Sequence, residues 1–121
     1  VSDGNPITCQ VRYTLDLGKR NDFVKYAQMW IKLVNRYGGT HHGYFMPRTT
    51  PEGLGVSFPE LAYDSPSDVA VALFTFPSEA AFRAYREDVK TDPECGAAEA
   101  LMRDTGCFLK YERLFLERIE R

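Results

Sequence analysis

The order of hydrophobic periodicities predicts an α+β fold, with four strands in one antiparallel sheet and the helices on one of its sides. Three observations carry this. Alternation of side-chain character marks strands at 7–15, 40–46, 69–76 and 107–116. Apolar steps of three and four residues mark helices at 21–37, 78–90 and 93–105. The strand at 69–76 is apolar on both faces, which marks a strand covered on both sides.

Each element has a local cause. In the first strand Ile7, Cys9, Val11, Tyr13 and Leu15 alternate with Thr8, Gln10, Arg12 and Thr14. Period two separates the sets, the first toward helices and the second toward a cavity or interface. Gly18 breaks the strand, and Asn21 is the expected N-cap of the first helix. Phe23, Ala27, Trp30, Ile31 and Val34 form its apolar stripe, with Trp30 as a core anchor. Gly38 and Gly39 end it through a left-handed cap. The second strand alternates His41, Gly43 and Phe45 with His42, Tyr44 and Met46, and Pro47 stops it. From Arg48 to Asp68 the chain reads as a loop carrying Pro51, Pro59 and Pro66. Loops this long serve a site or an interface more often than chance allows.

In the third strand Val69, Val71, Leu73 and Thr75 alternate with Ala70, Ala72, Phe74 and Phe76. Ser78 caps the next helix, which carries Ala81, Phe82, Tyr85 and Val89 on one side. Asp92 caps a further helix with Pro93 at its first position, and Gly106 ends it. In the last strand Cys107, Leu109, Tyr111, Arg113 and Phe115 oppose Phe108, Lys110, Glu112, Leu114 and Leu116. The order β-α-β, loop, β-α-α-β is the ferredoxin-like plan.

The 121 residues suit a single domain, 1–121. A net charge of −2 offers no single-signed field for a phosphate backbone, so nucleic acid is not an expected partner. No apolar stretch reaches the length that spans a bilayer, and the first residues carry no basic and apolar leader pattern. Cys9, Cys95 and Cys107 form no CxxC pair and read as reduced thiols, which fits a cytoplasmic location. No metal is expected, because adjacent strand histidines point to opposite faces and no carboxylate cluster completes a shell. No cofactor is expected either: Gly38-Gly39 follows a helix rather than opening one, as a phosphate loop would.

With both helical layers on one side, Ala70, Ala72, Phe74 and Phe76 are expected to look outward together with Phe108, Leu114 and Leu116. Such a patch exceeds what a monomer leaves wet, so a homodimer or higher oligomer with facing sheets is expected. The long loop folding over its own sheet is the rival cover.

Several stretches together resemble the NIPSNAP family. They are Asp22-Phe23, Tyr26-Ala27 and Trp30, then Leu33 to Arg36 running into Gly38 to Pro47. Ala72 to Ser78 follows, with Tyr85-Arg86 and Asp92 to Cys95, and the end matches in Tyr111-Glu112-Arg113 and Phe115-Leu116. The resemblance implies a dimeric α+β barrel in which two ferredoxin-like sheets enclose a cavity. It implies little chemistry, since small bacterial members of the family largely lack an assigned activity. The Arg48 to Asp68 loop is longer than in many short relatives.

Inside such a barrel Gln10, Arg12, Thr14, His42, Tyr44, Phe74, Lys110 and Glu112 are the candidate ligand-binding residues. Arg12 can fix a carboxylate or enolate by two parallel hydrogen bonds. His42 can take a proton from activated carbon, and Tyr44 can donate to the developing oxyanion. The bland alternatives are a cross-strand Arg12–Glu112 salt bridge and a structural His42, with His41 turned to the helices. Two functions follow. One is a non-catalytic dimer that binds a small apolar or acidic ligand or scaffolds a protein. The other is a cofactor-free monooxygenase or isomerase acting on a small enolisable or aromatic acid.

Overall fold

A computed structural model describes residues 4–120. Strand β1 spans Ile7–Leu15, helix α1 Arg20–Arg36, β2 Thr40–Phe45, β3 Val69–Phe76, α2 Glu79–Asp88, α3 Pro93–Thr105 and β4 Phe108–Leu116. The sheet order is β2-β3-β1-β4 and every neighbouring pair is antiparallel. This is the ferredoxin-like arrangement expected from the element order.

The helix caps follow local chemistry. Ser78 Oγ accepts the Ala81 N–H at 3.0 Å, and the Asp92 carboxylate accepts the Glu94 N–H at 2.9 Å, each filling an orphan donor of a first turn. Gly106 closes α3 in the left-handed conformation, at φ 63°. Asn21 is not a cap. The Asp16 carboxylate accepts the Gly18 N–H at 3.0 Å as the chain leaves β1. That contact starts a 3₁₀ turn over Leu17–Lys19, which runs directly into α1 and leaves Asn21 inside the helix. The long loop from Arg48 to Asp68 contains no strand, as its prolines led one to expect.

Arg36 joins two helices. Its guanidinium reaches Asp92 and Glu94, each at 2.7 Å, while the Tyr37 hydroxyl donates to Asp92 at 2.8 Å. The end of α1 is thereby clamped to the start of α3, and these two helices pack together. Helix α2 instead lies against β3.

Register decides which faces are covered. Cys9 pairs with Phe74, Val11 with Ala72 and Tyr13 with Ala70. Directly paired residues share a face, so Ala70, Ala72, Phe74 and Phe76 lie under the helices with Cys9, Val11 and Tyr13. Ala70 and Ala72 are fully buried and Phe76 is 1% exposed. The expectation that this set looks outward is therefore corrected. The small alanines leave room for rings: Tyr13 and Tyr44 stand beside them and pack with Phe23.

Phe108 is corrected in the same way. It pairs with Leu15, while Lys110 pairs with the preceding Thr14, so Leu109 is an extra residue. That bulge breaks the alternation and turns Phe108 into the core, 7% exposed and edge-on to Tyr13. Leu114 and Leu116, opposite Gln10 and Thr8, lie on the open face. With them are Val69, Val71, Leu73 and Thr75 of β3 and Gln10, Arg12 and Thr14 of β1.

Candidate functional site

Two concave regions flank the sheet. On the open face Gln10, Arg12, Thr14, Lys110 and Glu112 line a groove of about 590 Å³. Val69 and Val71 form its floor, and Tyr63, Ser65 and Pro66 of the long loop contribute an outer wall. Arg12 Nε donates to Gln10 Oε1 at 3.2 Å, and Arg12 Nη1 stands 3.8 Å from Glu112 Oε1. The two side chains of that ion pair are 52% and 74% exposed, so solvent screens it and it contributes little stability. The Arg12 guanidinium keeps donors free for an anion.

The proposed catalytic trio does not converge. His42 lies on the open face, where its Nε2 is 2.8 Å from Thr75 Oγ1, which is itself 2.8 Å from Thr8 Oγ1. Thr75 and Val71, the β3 residues beside His42 and Arg12, are four positions apart, roughly 13 Å along a strand. Tyr44 is on the opposite face. His41 pairs with Phe74 and Gly43 with the adjacent Leu73, so His42 is the extra residue of a bulge. Gly43 at φ 120° supplies the backbone shape this needs. Past the bulge Tyr44 pairs with Ala72 and turns under the helices. Phe74, also a candidate for the open-face cavity, lies there too. His41 faces the helices, as expected.

The second region lies on that covered side, between the sheet and the gap separating α1 and α3 from α2. Its volume is about 270 Å³. Tyr13, Tyr26, Trp30, His41, Tyr44 and Tyr85 form most of its aromatic wall. The His41 ring stacks on Tyr44 at 5.0 Å, nearly parallel, and on Phe74 at 5.5 Å. The Tyr13 and Tyr44 hydroxyls are 3.5 Å apart. Burial keeps the interior uncharged at neutral pH: it raises the Tyr13 and Tyr44 hydroxyls above their ordinary range, and pushes Tyr85 up to about 12 and the Cys9 thiol to about 11. Burial, helped by the neighbouring His42, lowers His41 to about 4. The sequence places Trp30 in the core and His41 toward the helices but does not bring them to one cavity, because nothing in the spacing joins residues of a helix and a bulged strand.

His41 gives the fold an acid-side dependence. Its ordinary value is 6.5 and its folded value about 4, so the unfolded chain binds the extra proton as pH falls between them. Stability is complete above pH 6.5 and declines toward pH 4. That gap corresponds to about 3 kcal/mol, which partial exposure of the ring reduces to about 1–2 kcal/mol. Urea unfolding at a series of pH values is expected to show this slope, and His41→Phe to flatten it. An equal slope in both proteins assigns the effect elsewhere.

The class of protein defined by these elements is an α+β domain of ferredoxin-like topology. No family model and none of the curated proteins matches the sequence. Solved structures do share the fold. A NIPSNAP family protein from Agrobacterium tumefaciens strain C58 superposes with TM-score 0.69 at 17% identity, covering 96% of this chain and 95% of its own. A second from the same strain, a NIPSNAP family protein with unknown function, gives TM-score 0.67 at 16% identity over 95% of this chain and 89% of its own. A candidate antibiotic biosynthesis monooxygenase from Nitrosomonas europaea is more distant, with TM-score 0.61 at 9% identity over 96% and 92% of the two chains. The fold is thus the one that solved NIPSNAP family proteins have, as the sequence resemblance implied. No described helix is long and apolar enough to cross a membrane.

Proposed function

We propose that the protein is a non-catalytic homodimer that binds a small apolar or acidic ligand on its open sheet face. The carrying observation is the composition of that face: Val69, Val71, Leu73, Leu114 and Leu116 surround the polar strip of Gln10, Arg12, Thr14, Lys110 and Glu112. Leu114 is 50% exposed and Leu116 37%. The long loop adds further wet apolar surface, with Leu61 77% and Tyr63 89% exposed, so the loop walls the groove without covering the sheet. Burying such surface against a second copy is favourable by about 25 cal/mol per Å², and a stable interface takes about 800 Å² from each partner. The enclosed groove then offers apolar walls for a ligand body and the Arg12 guanidinium for its charge. Three buried unpaired cysteines fit a reducing, cytoplasmic setting. Oxygenation or isomerisation through His42, Tyr44 and Arg12 is disfavoured, since Tyr44 is on the other side of the sheet and His42 is far along it.

Sedimentation equilibrium is expected to return twice the 13.8 kDa chain mass. Leu114→Glu, placed on the open face outside the core, is expected to give a folded single chain, because it sets a charge into apolar contact. A wild-type monomer at micromolar concentration, or an intact Leu114→Glu dimer, sinks the proposal.

A further inference from the structure

The covered side of the sheet holds a second cavity, separate from the open-face groove. Two polar atoms there are buried without a hydrogen-bond partner, Trp30 Nε1 and His41 Nε2. Both residues line the 270 Å³ cavity. The indole nitrogen is a donor only. The His41 tautomer follows from its other nitrogen: Nδ1 accepts the Gly43 N–H at 2.9 Å, so in the neutral ring the proton sits on Nε2. Burial raises the nearby Tyr26 hydroxyl above its ordinary range, with the adjacent Trp30 indole opposing that rise, yet no hydrogen bond of normal geometry joins the indole to any described residue. One aromatic-walled cavity thus holds two buried N–H donors whose hydrogen bonds are unmade. Buried donors in folded proteins are nearly always satisfied, and an exception marks strain, a functional role or a place for a water or ligand.

The charged residues of the lining are mostly basic, a bias that favours an anion just as the inner donors favour an acceptor. Arg86, Lys90 and Arg113 line the mouth with one carboxylate, Glu99, and all four residues are exposed. A cavity of about 150 Å³ already admits benzene, so this one has room for a single ring with short substituents. We propose that this cavity binds a small planar aromatic acid, with an acceptor oxygen on Trp30 Nε1–H and His41 Nε2–H, its ring between the tyrosines, and its carboxylate at the basic mouth.

Trp30 is the single tryptophan of the chain, so its emission reports the cavity directly. Calorimetric titration of the full chain with 4-hydroxybenzoate is expected to saturate, with a matching change in Trp30 emission. Benzoate, which lacks the distal oxygen, is expected to bind more weakly by roughly tenfold for each of the two hydrogen bonds it loses. His41→Phe keeps the stacked ring and removes the donor, and it is expected to weaken 4-hydroxybenzoate by one such factor. Arg113→Gln, an exposed change at the mouth, is expected to do so without touching the core. Arg12→Ala in the open-face groove is expected to leave binding unchanged, and Leu114→Glu to leave it unchanged even as a monomer. Absence of saturable binding overturns the proposal. So does binding that survives both His41→Phe and Arg113→Gln, or that is lost in Arg12→Ala.

Discussion

Phe76→Ala is expected to lower the free energy of unfolding by about 3–5 kcal/mol, as large-to-small changes in tight aromatic cores do. The ring is 1% exposed and stacks on Tyr85 at 4.7 Å, with Phe82 and Phe74 edge-on at 5.7 and 6.2 Å. Deleting it removes apolar burial and leaves a void bounded by three other rings, which cannot all collapse inward while anchored to β3 and α2. Urea unfolding should show a lower midpoint at an unchanged slope. Leu54→Ala in the long loop, at a site 69% exposed, is expected to stay within about 0.5 kcal/mol of wild type. A small effect of Phe76→Ala would mean that this face is not the core, and that the outward placement read from the sequence was correct after all.

Gly39→Ala is the second large effect, expected to cost about 1–3 kcal/mol through overpacking. A Cβ at this position would stand 2.6 Å from Phe76 Cζ and 2.8 Å from Val34 Cγ1. Neither neighbour can yield: Val34 and Phe76 are each 1% exposed and packed within one cluster. The backbone is tight as well, since the Gly39 N–H closes α1 on the Val34 carbonyl at 3.0 Å while Gly38 turns at φ 93°. Phe76→Leu removes the atoms that would clash, so the double variant is expected to lose less than the sum of its parts, with a coupling of about 1 kcal/mol. Strict additivity would assign the cost of Gly39→Ala to the backbone rather than to Phe76.

The two predictions meet at the point where sequence reasoning about the third strand failed. Its Val69-Val71-Leu73 and Ala70-Ala72-Phe74 sets are both apolar, so period two separates them without saying which meets the helices. The alanines held a signal: small residues on a helix-covered face admit the bulky Tyr13 and Tyr44 from the flanking strands. The candidate site failed at the second strand for another reason. One extra residue at His42 reverses every side chain after it, sending Tyr44 away from Arg12. Gly43 was visible in the sequence, but a glycine in a strand does not announce a bulge.

What the sequence determined by itself is local. Alternation, helical stripes, the Ser78 and Asp92 caps and the Gly106 stop are short-range physics, legible within a few residues, and together they fix four strands, three helices and their order. Only the tertiary structure decided which faces those elements share, because register and bulges depend on contacts between residues far apart in the chain. The pairing of Cys9 with Phe74 and the bulges at His42 and Leu109 put the aromatic set under the helices. They left Arg12 and His42 apart on the open face, and brought Trp30 and His41 to one cavity.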